Sequence, residues 1–464
     1  MRAHPAEYEL VAPRTLPAVL SLLAQEPGVW LPIAGGTDVM VEYSAGKLRA
    51  RKLVSIWNLP ELRRIEVSAD EIQIGAGSTY TDLREHQVVS REFTLLSSAA
   101  SWTGGIATQN RGTLGGNIVN ASPAADSLPA LLVYEAELVL VSLRGERRLP
   151  YASFHVDYRK TQLAPDELIC AICLKKRFSE YYAHGQKVGA RNAQAIAKVC
   201  LAALGRLADG VVEDIRLAMG SVAPVPLRLS ETERIVKGKR IDPALVQLAR
   251  TTAAAEIRPI DDIRSTARYR AAVAGNMVAE FLKHLSAAGD RAKNKNDVLA
   301  KWNNLRPDEA AEEILPCCGS KAWARDMAAR RPILDEADLL AGCDHVWKNL
   351  PESEWMEALG SHPRIGESRS PAFGPERSTA WSLEEQQKVG TAGEDVKAAL
   401  REANRAYEQR FNRIFIVCAT GKSAPEILGM LRRRLRNDET TELQEAAEQQ
   451  RQIAHLRLKK WLSS

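Results

Sequence analysis

The chain contains no apolar run approaching the ~18 residues that cross a bilayer, which excludes a membrane-spanning helix. It is poor in cysteine, with seven in 464 residues, and no charged-then-apolar leader opens Met1-Arg2-Ala3-His4. Disulfide-stapled secretion is therefore not expected, and a reducing cytoplasm is. Charge of one sign is also missing. Lys and Arg number 63 against 58 Asp and Glu, a net +5 with no basic stripe and no acidic tail, which argues against nucleic acid and for small-molecule partners. Neither an internal repeat nor a low-complexity tract is present. The length exceeds what one hydrophobic core organises, so two or three domains are expected.

What is present divides into textures. Residues 1–175 alternate short apolar runs with glycine-rich turns; 53–56, 71–74 and 137–141 read as strands and 81–89 as a short helix, an α+β pattern. In a smaller α+β domain over 176–285, the run 193–202 fits an amphipathic helix and 212–221 a strand. Residues 286–297 are polar, small and without period, the composition of a linker. From 298 to 464 nearly every stretch reads as helix, at 298–305, 307–315, 320–329, 336–349, 352–359, 383–387, 394–411, 424–436 and 439–461. The expected fold is thus multidomain, two α+β domains followed by an all-α bundle.

Two glycine loops stand out in the first domain. Trp30-Leu31-Pro32-Ile33-Ala34 delivers the chain into Gly35-Gly36-Thr37-Asp38, where glycines permit a tight turn and close approach of backbone N–H groups to an anion. Thr113-Leu114-Gly115-Gly116-Asn117 follows, and then Ala121-Ser122-Pro123-Ala124-Ala125-Asp126. Two such loops and a polar cluster suit a large dinucleotide. Neither loop has the Gly-x-Gly-x-x-Gly spacing, and Gly75-Ala76-Gly77 lacks the third glycine and the helix start, so a Rossmann fold is disfavoured.

These residues resemble the FAD-binding medium subunit of molybdenum hydroxylases, the family of xanthine dehydrogenase and carbon monoxide dehydrogenase. The resemblance runs over about residues 5–285 and includes Ala34 to Asp38, Asn110 to Asp126, Lys187-Val188-Gly189-Ala190-Arg191 and Ile263 to Arg270. It implies a non-Rossmann, PCMH-like fold. It also implies FAD with its pyrophosphate against both glycine loops (Ala34, Gly35, Gly36, Thr37, Asp38, Thr113, Gly115, Gly116) and with Asn117, Ser122, Asp126 and Lys187 completing the site. In that family electrons pass from a molybdopterin centre through two [2Fe-2S] clusters to FAD and on to NAD or another acceptor. Four thiolates in set spacing are needed for each cluster. Cys170 and Cys173 fall three apart in a predicted strand, and Cys317-Cys318 is adjacent, so both pairs read as packing and no metal site is expected in this chain. Molybdopterin-binding and [2Fe-2S] partner subunits are then implied, in an oligomeric assembly.

The second signature is Ser361-His362-Pro363-Arg364-Ile365-Gly366, set where a predicted helix ends at Gly360, read as the glycine that closes it. Pro363 biases His362 to an extended backbone, and a helix C-terminus favours a protonated imidazole, a general acid. Ser382, Glu385 and Gln386 stack on one helical face, or simply form a capping box. On the last helix Leu443, Ala446, Ala447, Gln450, Ile453 and Ala454 make a stripe that Arg457 continues, and an inward arginine needs an anion, either an internal Glu or a substrate carboxylate.

With Cys317-Cys318-Gly319-Ser320, Phe415 to Ser423 and Arg434-Leu435-x-Asn437, these residues resemble 2-oxo-4-hydroxy-4-carboxy-5-ureidoimidazoline (OHCU) decarboxylase, an all-helical enzyme of urate breakdown that needs no cofactor. The resemblance implies His362 as catalytic acid/base and Glu385 as its charged companion. Ser382 and Gln386 would bind ureido or ring groups, and backbone near Val417 to Ala419 would complete a pocket that includes Pro363, Leu383, Glu384, Ile416, Cys418 and Thr420. Arg457 would hold the carboxylate. A purine-catabolic fusion protein is the expected whole. A free-standing flavin oxidoreductase with a non-catalytic helical docking module is the alternative.

Overall fold

The structure, a computed structural model, describes residues 4–191, 194–365, 381 and 393–463. It separates into two compact units, 1–289 and 290–464. No helix among the described residues is long and apolar enough to cross a membrane.

The first unit is built on three main sheets. A parallel sheet sets Glu9–Val11 and Trp30–Ile33 on either side of Lys52–Ser55. Pro32, which has no N–H to give a ladder, occurs on an edge strand of that sheet. A five-stranded antiparallel sheet follows, ordered Ile65–Val67, Glu71–Gly75, Leu168–Lys175, Glu137–Ser142, Gly145–Pro150. Its central strand Leu168–Lys175 is buried almost throughout, whereas the edge strand Gly145–Pro150 is charged and exposed, which discourages pairing with another chain. A four-stranded antiparallel sheet carries Tyr182–Val188, Val199–Ala208, Val211–Gly220 and Leu227–Arg228.

Three sequence readings are corrected. The amphipathic helix expected over 193–202 is not found among its described residues: 194–198 are irregular, and 199–202 begin the strand Val199–Ala208. Its alanines suit a helix, but pairing on both sides and near-complete burial decide the matter. The expected helix over 81–89 is two, Tyr80–Glu85 and Gln87–Glu92, broken at the extended His86. The linker expected at 286–297 is helical, part of one helix, Ala267–Asn303. Alanine and lysine favour helix there, and Gly289 has a packing reason: a Cβ on it would lie 2.5 Å from Leu207 Cδ1. On its first half Ala274, Val278, Phe281, Leu282 and Leu285 cover the four-stranded sheet.

The second unit is all helix and loop among its described residues. Trp302, Trp323, Trp347 and Trp461 anchor one core around Pro307–Cys318, Lys321–Ala329, Glu336–Asn349 and the last helix, Glu439–Leu462. A second core joins Glu394–Phe411 to Ala424–Arg434. Gly360 does not cap its helix in a left-handed conformation. It is the last helical residue of Glu352–Gly360, and Ser361 is the cap, still right-handed.

Candidate cofactor site and candidate active site

In the first unit the two glycine loops meet. A Cβ on Gly35 would lie 1.6 Å from the Arg111 carbonyl oxygen, so only glycine lets the first loop rest on the segment that opens the second. Gly36 sits at φ +77°, in the left-handed region that favours glycine. Arg111 Nε donates to the Gly35 carbonyl at 3.4 Å, and its guanidinium lies 3.9 Å from the centre of the Trp57 ring, which also carries Arg63. Asn120 Nδ2 donates to Asp38 Oδ1 at 3.3 Å, and burial raises the Asp38 carboxyl above its ordinary range.

The loops differ in what they offer. In the second, Leu114 N–H donates to Ser78 O, Gly115 N–H to Ala76 O, Gly116 N–H to Thr113 Oγ1 and Asn117 N–H to Thr113 O. Those donors are committed, and a Cβ on Gly115 would lie 2.6 Å from that of Ala76, so its glycine serves close packing on the Gly75-Ala76-Gly77 turn. In the first loop no protein acceptor faces the amides of Gly35, Gly36 and Thr37 among the described residues. Beyond them lies a polar wall. Ser127 donates to Asn117 Oδ1 at 2.7 Å, and Ser122 Oγ accepts from Ala124 N–H. Lys187, from the four-stranded sheet, holds Asp126 Oδ2 at 2.6 Å and Trp102 O at 2.9 Å. Burial pushes the Asp126 carboxyl up to about 6 against the pull of Lys187. Its Oδ1 and the Tyr80 hydroxyl are buried without a protein partner. Open amides in a glycine turn, beside a wall with orphaned polar atoms, fit the pyrophosphate and polyol of a flavin dinucleotide. The sequence does not single out Tyr80 or Arg111: Arg111 lies unremarked within the run Asn110 to Asp126, and Tyr80 carries no motif.

In the second unit His362 follows the helix end, its N–H on Leu359 O at 3.4 Å. Gly319, at φ +89°, ends Pro307–Cys318, and a Cβ there would lie 2.0 Å from Ser361 Oγ, so two helix C-termini abut. That contact explains the Cys-Cys-Gly-Ser motif: Ser320 then caps the next helix on Trp323 N–H. His362 is 7 % exposed and its Nε2 has no protein partner. The expected protonated imidazole is not found. Burial, then the charge of Arg457, hold it well below its ordinary value and outweigh the opposing effect of the nearby Gln450 side chain. Arg457 is buried, with Nη1 on Pro316 O at 3.3 Å. Gln450, two turns earlier on the same face, gives Nε2 to Cys318 O at 2.9 Å and leaves Oε1 without a protein partner.

The segment 415–419 runs extended and alternates between cores. Phe415, Val417 and Ala419 enter one, Ile416 and Cys418 the other, so its side chains are consumed by packing. A second buried arginine, Arg434, meets the buried Glu442 at 2.6 Å and donates to Ile416 O at 2.7 Å. Asn437 and Tyr407 complete that carboxylate's shell. His362, Pro363, Arg457 and Ile416 to Thr420 thus have described places. Ser382, Leu383, Glu384, Glu385 and Gln386 lie outside the described residues.

Comparison with known proteins accords with this division. The family described as FAD binding domain in molybdopterin dehydrogenase matches residues 6–174, CO dehydrogenase flavoprotein C-terminal domain 185–285, and OHCU decarboxylase 303–459. The xanthine dehydrogenase FAD-binding subunit of Escherichia coli O157:H7 is 32 % identical over 285 residues, 61 % of this chain and 97 % of that one. The carbon monoxide dehydrogenase medium chain of Hydrogenophaga pseudoflava is 29 % identical over 278 residues, 60 % of this chain and 96 % of its own. A solved structure of carbon monoxide dehydrogenase from that organism, lacking the Mo-pyranopterin moiety, superposes with a TM-score of 0.59 at 29 % identity, covering 61 % of this chain and 99 % of that one.

Proposed function

Because this chain belongs to the FAD-binding subunits of xanthine dehydrogenase-type molybdenum hydroxylases, with an OHCU decarboxylase domain fused behind, we propose that it serves two steps of purine breakdown. The first unit is an electron-transfer subunit whose molybdopterin and [2Fe-2S] partners are separate chains, in an oligomeric cytoplasmic assembly. The amides of Gly35, Gly36 and Thr37 would hold the FAD pyrophosphate, Arg111 would brace their loop, and Asn117, Ser122, Asp126 and Lys187 would face the ribityl or ring. FAD, when bound, supplies a two-electron acceptor that can pass electrons on to NAD or another oxidant.

The second unit converts OHCU to (S)-allantoin and CO2. The bond from the hydroxyl-bearing ring carbon to the carboxylate breaks, its electron pair enters the neighbouring ring C=N, whose nitrogen takes up a proton from solvent, and the resulting enol becomes the carbonyl as its hydroxyl proton leaves and a proton is delivered to one face of the adjacent ureido-bearing carbon. Arg457 receives the carboxylate. A neutral His362 enters as proton acceptor, and the incoming anion offsets the guanidinium charge that helps keep it neutral, so the imidazole can take up and then deliver the proton. The observation that carries this reading is a buried His362, its Nε2 without a protein hydrogen bond, that feels the charge of the buried Arg457. Purification of the full chain with its copurifying proteins tests both halves. Flavin, iron and molybdenum should appear together, and freshly generated OHCU should yield optically active allantoin. A preparation with flavin but neither metal would refute the relay, and racemic allantoin at the uncatalysed rate would refute the decarboxylase.

A further inference from the structure

The segment 415–419 has spent its side chains on two cores, so only its peptide groups can meet a ligand. Three of those groups are already engaged by side chains. Arg434 donates to Ile416 O at 2.7 Å, Gln449 Oε1 accepts Cys418 N–H at 3.0 Å, and Lys422 Nζ donates to Cys418 O at 2.6 Å. The amides of Val417 and Ala419, on either side of Cys418, meet no protein acceptor among the described residues. Backbone that alternates in this way presents successive N–H groups in opposite directions. Fixing the Cys418 amide on Gln449 therefore aims its two neighbours the other way.

We propose that Gln449 is a positioning residue for substrate. By holding the Cys418 peptide it sets the direction in which the Val417 and Ala419 amides meet the carbonyl oxygens of the ureido or ring groups, while Arg434, locked by Glu442, fixes the segment two residues earlier, at Ile416. This rests on the decarboxylase reading of the second unit. Gln449 touches no reacting atom, so its removal acts on substrate binding and leaves the proton transfer at His362 alone. Its neighbour Gln450 faces the other way, toward Cys318 and His362, and the two glutamines divide the helix between binding and the catalytic histidine.

The test uses the full chain with freshly generated OHCU, following kcat and KM separately, and (S)-allantoin binding by calorimetry. Gln449→Leu strands the buried Cys418 N–H; KM and the allantoin Kd should rise at least tenfold with kcat changed less than threefold. Gln449→Glu keeps an acceptor of the same reach and should return KM to within threefold of the parent. Gln449→Asn, one methylene short, should behave as Leu does, and it supplies the reading if the Leu variant does not fold. An unchanged KM in Gln449→Asn, or an equal loss of kcat in the Glu variant, overturns the positioning role. If the parent itself does not accelerate decarboxylation, the functional reading fails instead, and the allantoin titration of parent against Gln449→Asn still decides whether Gln449 orders this segment for a ligand.

Discussion

Substituting Gly35 by alanine tests the cofactor site at its tightest point. The added Cβ would begin 1.6 Å from the Arg111 carbonyl oxygen and 2.4 Å from its carbon, where contacts under 3.0 Å are essentially never seen. The obstacle is backbone, so no rotamer relieves it. The Arg111 side of the contact is also pinned, because Gly112 N–H bonds Thr108 O, Leu114 N–H bonds Ser78 O, Gly115 N–H bonds Ala76 O, and Gly112 O takes the Tyr80 N–H. The first loop must therefore yield, carrying the amides of Gly35, Gly36 and Thr37 with it. Overpacking of this kind costs about 1–3 kcal/mol in stability. Losing two charge-assisted hydrogen bonds to a pyrophosphate, at about 1.5 kcal/mol each, weakens FAD binding by roughly 150-fold. Gly36→Ala provides the graded comparison: it suffers the φ +77° strain, but its Cβ meets side chains alone, the flexible Met40 at 3.3 Å and Ile33 at 3.6 Å, so about 1 kcal/mol and a roughly fivefold loss are expected. The assay is flavin absorbance per chain after purification, then titration of the apoprotein with FAD. Full occupancy and parental affinity in Gly35→Ala would show that the first loop does not carry the pyrophosphate. Decarboxylation by the same preparations should not change.

His362→Asn should lower decarboxylation by at least ~1,000-fold while flavin content stays at the parental level, measured on one preparation. Because the buried His362 has a folded pKa below its unfolded value, the unfolded chain binds the proton more readily, and the second unit should lose stability as pH falls below ~6.5 and not above it. Thermal melts of His362→Asn should lack that part of the acid slope; an identical slope would place the imidazole in solvent. Glu442→Gln strands the Arg434 charge in a site where both side chains are 0 % exposed. About 3–5 kcal/mol should be lost, seen as a fall of roughly 10 °C in the melting of the second unit, and a shift under 2 °C would contradict the burial.

Much of this was readable from residue order, and what was not has identifiable causes. Periodicity located the helices of the second unit because each buries one face of a long element, as Glu336–Asn349 and Glu394–Phe411 do. It fails at 199–202, where alanines that suit a helix are held in a strand by partners distant in sequence, and at 286–297, where polar composition reads as a linker although every residue but Gly289 tolerates a helix. The glycine loops were visible, but not their unequal roles. That Gly115 packs and Gly35 leaves amides open depends on Ala76 and Arg111, which local sequence does not connect to them.

The last helix shows the same limit at the active site, where an apolar stripe placed Gln450 and Arg457 inward but said nothing of Gln449. The stripe through Leu443, Ala446, Ala447, Gln450, Ile453 and Ala454 leaves Gln449 off its face, yet Gln449 and Gln450 are both inside because Glu439–Leu462 is enclosed on more than one side, by the core of Trp347 and by the segment 415–419. Each buried glutamine must then find partners or face a ligand. Gln449 Oε1 finds the Cys418 amide, and Gln450 Nε2 finds the Cys318 carbonyl, 132 positions away, leaving its Oε1 toward His362. Two of the buried arginines meet different groups: Arg434 has the Glu442 carboxylate, and Arg457 donates to Pro316 O near the end of the helix Pro307–Cys318. An inward arginine in a sequence is therefore ambiguous until its neighbours are known: the buried Glu442 carboxylate gives Arg434 structural work, whereas the substrate role of Arg457 is a proposal that the decarboxylation assay must decide.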